Sequence, residues 1–354
     1  MRILDIYIGK IIATTTFLTL AVLVSVSSII KFVEQMRAVG RGSYDLIDAA
    51  LFAFYAMPRD IEIFFPMAAL VGGLIGLGMM ASNSELVVMQ AAGLSKIQII
   101  KSVMKTAAIL IVMSMAVGEW LAPQGEATAR ELRAQAISEG SLISSKNGVW
   151  AKDGELIVHI TEVADTGTLK NISLYKFDQN LQMQQWLTAK NANWVEDHWL
   201  LHDIEISEFA PQRINNSIAD TQEWQSSLTP EKLGVVTVKP EALSVQGLIS
   251  YLDYLEENNQ DTSRYELAFW RKLMQPITVA VMLLVALSYI FGPLRSVSMG
   301  ARIMMGIGTG ITYDFANRMF GSISQTFQLP PFIGAVLPSL LFVMVAVYLL
   351  RRKA

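Results

Sequence analysis

The sequence has no cysteine, few charged residues and no enzyme motif that we recognise. Without cysteine the chain forms no disulfide and offers no thiolate to a zinc or iron–sulfur centre. Only 17% of its 354 residues are charged and 52% are hydrophobic, whereas about a quarter of an ordinary soluble domain is charged. The net charge of −3 argues against a nucleic-acid-binding protein, which needs a basic face. These deficits favour an integral membrane protein.

Catalytic signatures are missing as well. The sequence contains no G-x-x-x-x-G-K-[ST] phosphate loop, no H-E-x-x-H and no G-x-S-x-G. Histidine occurs only at His159, His198 and His202. His198 and His202 are four residues apart, so on a strand both would lie on one face and could hold a metal ion. Their flanks are more typical of a half-exposed strand with ordinary polar residues, and we predict neither a metal site nor catalysis.

Six apolar runs are close to the roughly 20 residues that a helix needs to cross about 30 Å of hydrocarbon. They cover residues 11–30, 61–80, 106–122, 276–291, 303–320 and 329–350. The first is too long for a signal-peptide core, and no small-residue cleavage site follows it, so we predict a retained span. A shorter run at 46–57 is followed by Pro58-Arg59-Asp60 and is interpreted as an interfacial helix or a broken entry into span two, not as a seventh crossing.

Lysine and arginine in the short loops predict the orientation of these spans. If the N-terminus is cytoplasmic, that side holds an excess of basic residues, whereas in the first loop on the other side acids balance the basic residues. The cytoplasmic set is Arg2, Lys10, Lys96, Lys101, Lys105, Arg295, Arg302, Arg351, Arg352 and Lys353. Both termini are therefore expected inside, and the long connection after the third span is expected outside.

That connection, residues 123–265, reads as a domain between helices 1–122 and 266–354. A polar helical extension at 125–138 gives way to runs with a period of two, such as GELIVHITEV at 154–163. Several such runs between turn residues predict a β-sandwich or jelly roll. An amphipathic helix follows Pro240 and Ser244 and leads back to the membrane. Its apolar side is predicted to hold Val245, Leu248, Ile249, Leu252 and Leu255.

A second short helix is predicted at about 83–95, between spans two and three. It opens with a capping serine and ends at Gly93 as a C-cap glycine. One acid among Val, Met and Ala suits insertion into a groove on a soluble partner, as in the coupling helices of ATP-driven permeases. The alternative is a plain helical turn at the membrane surface.

Lys31, Arg37 and Arg41 are basic residues at the outer end of span one, where few are expected. Lys31 and Glu34 are spaced to form an ion pair, and Arg37 and Arg41 are spaced to share a helical face. These cations either snorkel to the interface or hold an anionic lipid head group. In span five, Asp314 and Arg318 are spaced for an intrahelical ion pair, and we assign them no role.

The chain resembles the LptF/LptG permeases of bacterial lipopolysaccharide export. The resemblance runs through both membrane halves and the central domain, and GEWLAPQGE and LGVV favour the LptG type over its paralogue LptF. The stretches are YIGK (7–10), FFPMAAL (64–70), SELVVMQAAG (84–93), GEWLAPQGE (118–126), GVWAKDG (148–154), LTPEKLGVV (228–236), ALSYIFGPLRSV (286–297) and PPFIGAVLP (330–338).

The resemblance implies a permease with six transmembrane helices and an inserted periplasmic β-jelly-roll-like domain in the bacterial inner membrane. It implies an LptF-like permease partner, two LptB-like ATPase subunits that bind ATP and magnesium, and an LptC-like periplasmic protein, while this chain needs no cofactor. The implied activity is extraction of lipopolysaccharide from the outer leaflet and its delivery to a periplasmic bridge.

The resemblance also implies roles for individual residues. Lys31, Arg37 and Arg133 match lipid-binding basic positions, and Arg41 compensates for Ala38, where relatives have a further cation. The coupling helix that docks on the ATPase is expected to include Ser84, Glu85, Leu86, Met89 and Gly93. The alternatives are an LptF-type paralogue in the same complex, a membrane-anchored periplasmic sensor or scaffold, and a metal enzyme that uses His198 and His202.

Overall fold

A computed structural model describes residues 2–138, 143–165, 167–178, 180, 182–210, 213–230, 232–233, 239–292 and 297–351. The predicted basic residues Arg295, Arg352 and Lys353 lie outside these ranges. The chain divides into two compact units. The first consists of Met1–Val33, Ala53–Glu126 and Ser263–Ala354, and the second of Glu34–Phe52 and Ala127–Thr262. Residues 34–52, which the sequence grouped with the first helices, therefore belong to the second unit.

Long helices make up most of the described chain, and a short helix lies between two of them. The elements are α1 Arg2–Met36, α2 Leu46–Tyr55, α3 Met57–Ser82, α4 Glu85–Ala91, α5 Lys96–Ala116, a π-helical turn Val117–Leu121 and α6 Ala122–Ser138. After the sheet come α7 Val245–Glu257, α8 Ser263–Phe291, α9 Met299–Thr326 and α10 Pro331–Arg351. Helix α2 ends at Tyr55 and α3 begins at Met57, so the short apolar run forms a helix of its own, and its last predicted residue belongs to α3.

The third apolar run was predicted to begin at residue 106, but α5 begins ten residues earlier. Ser95 and Gln98 form a capping box at its start, in which each side chain bonds the backbone N–H of the other. The hydropathy pattern did not indicate this start, because Lys96, Lys101 and Lys105 interrupt the apolar run. Lysine is a good helix former, so these residues shorten the apolar run without shortening the helix.

Within the described ranges, five helices are long and apolar enough to cross a membrane: Ile3–Met36, Met57–Ser82, Lys96–Ile137, Ser263–Phe291 and Pro331–Arg351. Helix α9 covers the fifth predicted run and has 28 residues, but its glycine and polar residues leave it outside this group. The described chain is thus mostly helical with an inserted sheet, which confirms the predicted fold class.

Small residues let α1 and α3 pack closely. A Cβ added to Gly72 would lie 2.5 Å from the Cα of Thr16, so the two backbones leave no room for a side chain there. Thr15 donates a hydrogen bond from Oγ1 to the Gly72 carbonyl at 2.7 Å. Close approach with an interhelical hydrogen bond is typical of helices that pack within a membrane.

The second unit holds one six-stranded antiparallel sheet in the order of the chain. The strands are β1 Ile143–Asp153, β2 Leu156–Asp165, β3 Thr168–Phe177, β4 Met183–Val195, β5 His198–Ala210 and β6 Arg213–Trp224. Each described strand pairs with its neighbour in sequence, which is a meander, whereas a jelly roll connects two sheets through Greek keys. The predicted alternation is present in β2, where Val158 and Ile160 are fully buried and Ile157 is 38% exposed.

Helix α7 packs at one end of this sheet through buried tyrosines. Ser244 caps the helix by accepting a hydrogen bond from the Gly247 N–H at 3.0 Å. The buried residues are Leu248, Tyr251, Tyr254 and Leu255. Ile249, which we predicted on the apolar side, is 45% exposed. The buried face of α7 thus includes the two tyrosines in place of Ile249. Tyr254 is held there by a hydrogen bond from its hydroxyl to the Lys152 carbonyl on β1 at 2.9 Å.

Candidate coupling helix and cation sites

Helix α4 lies between α3 and α5, where the coupling helix was predicted. Its end is a Schellman motif: Gly93 donates to the Gln90 carbonyl and Leu94 to the Met89 carbonyl, with φ +93° at Gly93. At its start Ser84 adopts a left-handed conformation with φ 61°, and its side chain makes no capping hydrogen bond. The predicted C-cap glycine is confirmed, whereas Ser84 does not act as a side-chain cap.

The two faces of α4 differ from the predicted arrangement. Leu86 and Met89, which we expected in the docking surface, are 4% and 8% exposed and belong to the hydrophobic core of the first unit. Val87 and Val88 are 49% and 65% exposed. The buried leucine and methionine thus anchor the helix, and the two valines form its exposed apolar surface. Which face is buried depends on the neighbouring helices, which local spacing does not encode.

Glu85 is held in place by residues outside α4. The Tyr7 hydroxyl of α1 donates a hydrogen bond to Glu85 Oε2 at 2.9 Å, and Asn83 Nδ2 donates to Oε1 at 3.4 Å. These contacts fix the orientation of the carboxylate. They also connect α4 to the first turns of α1, within the YIGK stretch.

Lys31 forms an ion pair with Asp60 of α3 and not with Glu34. The distance from Lys31 Nζ to Asp60 Oδ1 is 2.7 Å, and the side chains are 26% and 3% exposed. The second oxygen, Oδ2, is buried and has no hydrogen-bond partner among the described residues. The predicted pairing with Glu34 was wrong, because the packing of α1 on α3 brings in an acid that is 29 positions away in sequence.

A buried charge cluster, which the sequence did not predict, surrounds Glu62 of α3. Arg59 Nη1 lies 2.6 Å from Glu62 Oε2, and Lys272 Nζ of α8 lies 3.3 Å from Oε1. The Glu62 and Lys272 side chains are only 5% and 9% exposed. Gly118, in the π-helical turn, faces this carboxylate, and a Cβ there would lie 2.8 Å from Glu62 Oε1. One feature of the sequence could have indicated a buried charge cluster here: three charged residues at 59–62 lie directly next to an apolar run.

The other three predicted lipid-binding cations belong to the second unit. We predicted that Arg37 and Arg41 share a helical face. Helix α1 ends at Met36, however, and the two arginines lie in a turn and a bend. Arg37, Arg41 and Arg133 are all exposed, and none has an ion-pair partner within the part of the chain that the structure describes.

Two hydrogen bonds from Ser43, one of them from its hydroxyl at 3.2 Å, join the segments that carry Arg41 and Arg133. Ser43 donates from its backbone N–H to the Ala136 carbonyl of α6 at 2.8 Å. Gly42 has φ +57°, and a Cβ there would collide with the same carbonyl, so only glycine fits. Tyr44 is buried against this segment, and burial raises the pKa of its phenol. The loop is thereby fixed on α6, and the guanidinium groups remain open to an anion.

Histidines and acids elsewhere in the chain complete the polar residues that the sequence singled out. Across the described ranges, no three histidine, aspartate or glutamate side chains come together in a metal-binding group. The ring of His159 lies 4.5 Å from that of Trp150 on the sheet. Asp314 and Arg318 form the predicted intrahelical ion pair at 2.9 Å and are largely exposed.

Comparison with known proteins places this architecture in a family. A family model described as lipopolysaccharide export system permease LptF/LptG matches residues 6–352. The chain is 48% identical over 355 residues to the lipopolysaccharide export system permease protein LptG of Escherichia coli (strain K12), and the match covers 99% of each chain. It is also 48% identical over 352 residues to the protein of the same name from Haemophilus influenzae (strain Rd), covering 99% of this chain and 98% of that one. The chain therefore belongs to the LptF/LptG family, the permeases of the lipopolysaccharide export system.

Proposed function

We propose that this chain is the LptG-type permease subunit of an ATP-driven exporter in the bacterial inner membrane. It would take lipopolysaccharide from the outer leaflet and pass it to a periplasmic bridge, and it would carry out no covalent chemistry itself. The observation that carries the proposal is α4, a short helix between two spans that exposes Val87 and Val88 while its other side is buried in the core.

The proposed assembly contains an LptF-like permease, two LptB-like ATPase subunits and an LptC-like periplasmic protein. ATP and magnesium would be bound by the ATPase subunits, since this sequence has no phosphate-binding loop. Both termini would be cytoplasmic and the six-stranded sheet periplasmic, in line with the excess of lysine and arginine in the loops assigned to the inside. In this orientation α4 is cytoplasmic and Lys31 lies near the periplasmic surface.

Coupling would act through α4 as a rigid element. Leu86 and Met89 fix the helix to the core of the first unit, so a force on its exposed face passes to the spans. Nucleotide binding would close the two ATPase subunits, move α4 and narrow the lipid cavity between the two permeases. The Glu85 carboxylate, oriented by Tyr7, would pair with a cation on the ATPase.

The lipid phosphates would be held by Lys31, Arg37, Arg41 and Arg133. Arginine suits phosphate because its planar guanidinium donates two parallel hydrogen bonds. The three arginines are exposed, and two of their segments are fixed to each other by the Ser43–Ala136 hydrogen bonds.

Co-purification tests the docking role. The permease pair should bring down the ATPase from detergent, and Glu85→Lys should weaken this association, because it reverses the charge that faces the partner. Tyr7→Phe is the matched control: it removes the same hydrogen bond but keeps the carboxylate. If a Glu85→Lys complex assembles and hydrolyses ATP as the unmodified complex does, the docking role of Glu85 is wrong.

A further inference from the structure

Helix α9 packs along α3 through residues that repeat every fourth position. A Cβ on Gly306 would lie 2.7 Å from Leu74 Cδ1, and a Cβ on Gly310 would lie 2.9 Å from Met67 Cγ. One turn before these glycines, the same face of α9 carries Arg302. The α3-facing side of α9 thus has no room for a side chain at Gly306 and Gly310, whereas at Arg302 it holds one of the longest side chains.

Arg302 is only 2% exposed and reaches the last turn of α3. Its Nη1 donates to the Gly78 carbonyl at 2.7 Å and to Ser82 Oγ at 3.0 Å. A buried arginine is costly unless its charge is stabilised, and the partial negative charge at a helix C-terminus does so. The carbonyl and the hydroxyl thus explain why this cation is tolerated in the core.

Gly78 and Arg302 depend on each other. A Cβ on Gly78 would lie 2.9 Å from Arg302 Nη1 and 3.1 Å from its Cδ. Alanine at position 78 would therefore displace the guanidinium without altering any charge or donor. The chain consequently offers a second way to break this contact, independent of the arginine itself.

The contact lies directly before the coupling helix. Ser82 is the last residue of α3, and α4 begins at Glu85 after only two residues, of which Ser84 is in the left-handed conformation. Such a short and conformationally restricted connection lets the end of α3 follow α4. Arg302 binds that end to α9, the helix that contacts α3 along its length through Gly306 and Gly310.

We infer that Arg302 is a positioning residue of the coupling path: it makes α9 move with the end of α3 when the ATPase displaces α4. This inference rests on the proposed function, since it takes α4 as the docking helix. Arg302 is buried and is not among the residues proposed to contact the lipid or the ATPase. Its role is to keep α3 and α9 in one rigid group, so that ATP hydrolysis does mechanical work on the cavity instead of only bending the connection at residues 83–84.

The test is the amount of lipid released per ATP hydrolysed. The complete complex, with the partner permease and ATPase, is reconstituted in proteoliposomes with fluorescent lipopolysaccharide, and release and phosphate production are measured together. Arg302→Gln should leave hydrolysis within about twofold of the unmodified complex and lower release per ATP by about tenfold. Gly78→Ala should give the same uncoupling, and Arg302→Lys should recover part of the release because it retains a cation and a donor.

Arg318→Gln is the matched control on the same helix. It removes an arginine whose ion pair with Asp314 is 77% exposed on the arginine side, and it should leave release per ATP unchanged. If Arg302→Gln and Gly78→Ala release as much lipid per ATP as the unmodified complex, the inference is overturned. It is also overturned if hydrolysis and release fall in parallel, because that result indicates a purely structural role. If the unmodified complex shows no ATP-dependent release at all, the proposed function itself fails.

Discussion

Asp60 holds the ammonium group of Lys31 at 2.7 Å, and the carboxylate is almost completely buried. Lys31 is the lipid-binding cation that we predicted on α1. In the structure it is already paired with an acid of the same chain. A neutral ion pair attracts a phosphate much less than a free lysine does. Under the proposed function, lipopolysaccharide would therefore compete with Asp60 for Lys31, and this acid would limit how tightly the lipid is held.

Asp60→Asn should raise the affinity of the reconstituted complex for lipopolysaccharide. The substitution keeps the size of the side chain and removes the competing charge, and we expect a gain of about tenfold in affinity, equivalent to about 1.4 kcal/mol. Binding of fluorescent lipopolysaccharide to the complex in nanodiscs measures it. The double variant Lys31→Gln/Asp60→Asn should bind like Lys31→Gln alone. A gain that persists without Lys31 would show that Asp60 acts elsewhere.

The two faces of α4 predict opposite effects of substitution. Val88→Asp places a charge on the exposed surface, so it should leave the fold intact and weaken binding of the ATPase by about tenfold or more. Leu86→Ala removes buried apolar volume and should destabilise the permease by about 2–5 kcal/mol, with little change in the affinity of the folded fraction. Pull-down with purified ATPase and thermal unfolding separate these effects. Equal ATPase binding by Val88→Asp and the unmodified chain would contradict docking through this face.

Much of the fold could be predicted because it depends on local pattern. Apolar length predicts the long helices, a period of two predicts the strands, and Gly93 predicts the end of α4. The faces of α4 could not be predicted, since Leu86, Val87, Val88 and Met89 are all apolar. Only the position of the other helices determines that the outer two of these four residues are buried.

The ion pairs were the least predictable feature. Local spacing favours Lys31 with Glu34, which are one helical turn apart, and the observed partner belongs to another helix. Glu62 and Lys272 come together although 210 positions separate them, and nothing near either residue identifies its partner. Pairing of this kind depends on tertiary packing and carries no signal in a single sequence.

Loss of the Glu62 charge should destabilise the first unit. Glu62→Gln removes the carboxylate that pairs with Arg59 and with the buried Lys272, and removing one partner of a buried ion pair costs about 3–5 kcal/mol. Asp314→Asn is the control, because its exposed pair with Arg318 contributes about 1 kcal/mol at most. Thermal unfolding in detergent should show a large fall in the midpoint for the first variant only. Similar midpoints for both would mean that the cluster is solvated or has other compensation.

Tyr254 predicts how the second unit responds to alkaline pH. Burial, together with the charge of Asp153, raises the pKa of Tyr254 to about 12, and its hydroxyl donates to the Lys152 carbonyl. In the unfolded chain the phenol loses its proton near pH 10. From about pH 10 to about pH 12 the folded state thus binds more protons than the unfolded state. Stability therefore falls as pH rises through this range, whereas below pH 10 the contribution of this group does not change with pH.

The comparison with Tyr254→Phe isolates this contribution, since other groups titrate in the same range. At pH 8 the unmodified chain should be more stable than the variant by about 1 kcal/mol, the usual value of one hydrogen bond. That advantage should shrink as the pH rises above 10 and change sign before pH 12, because each pH unit in this range costs up to about 1.4 kcal/mol. Denaturant unfolding of the full chain in detergent, followed by tryptophan fluorescence, measures it, because Trp199 and Trp224 are buried in this sheet. A constant difference from pH 8 to pH 11.5 would show that the folded phenol ionises as readily as the unfolded one.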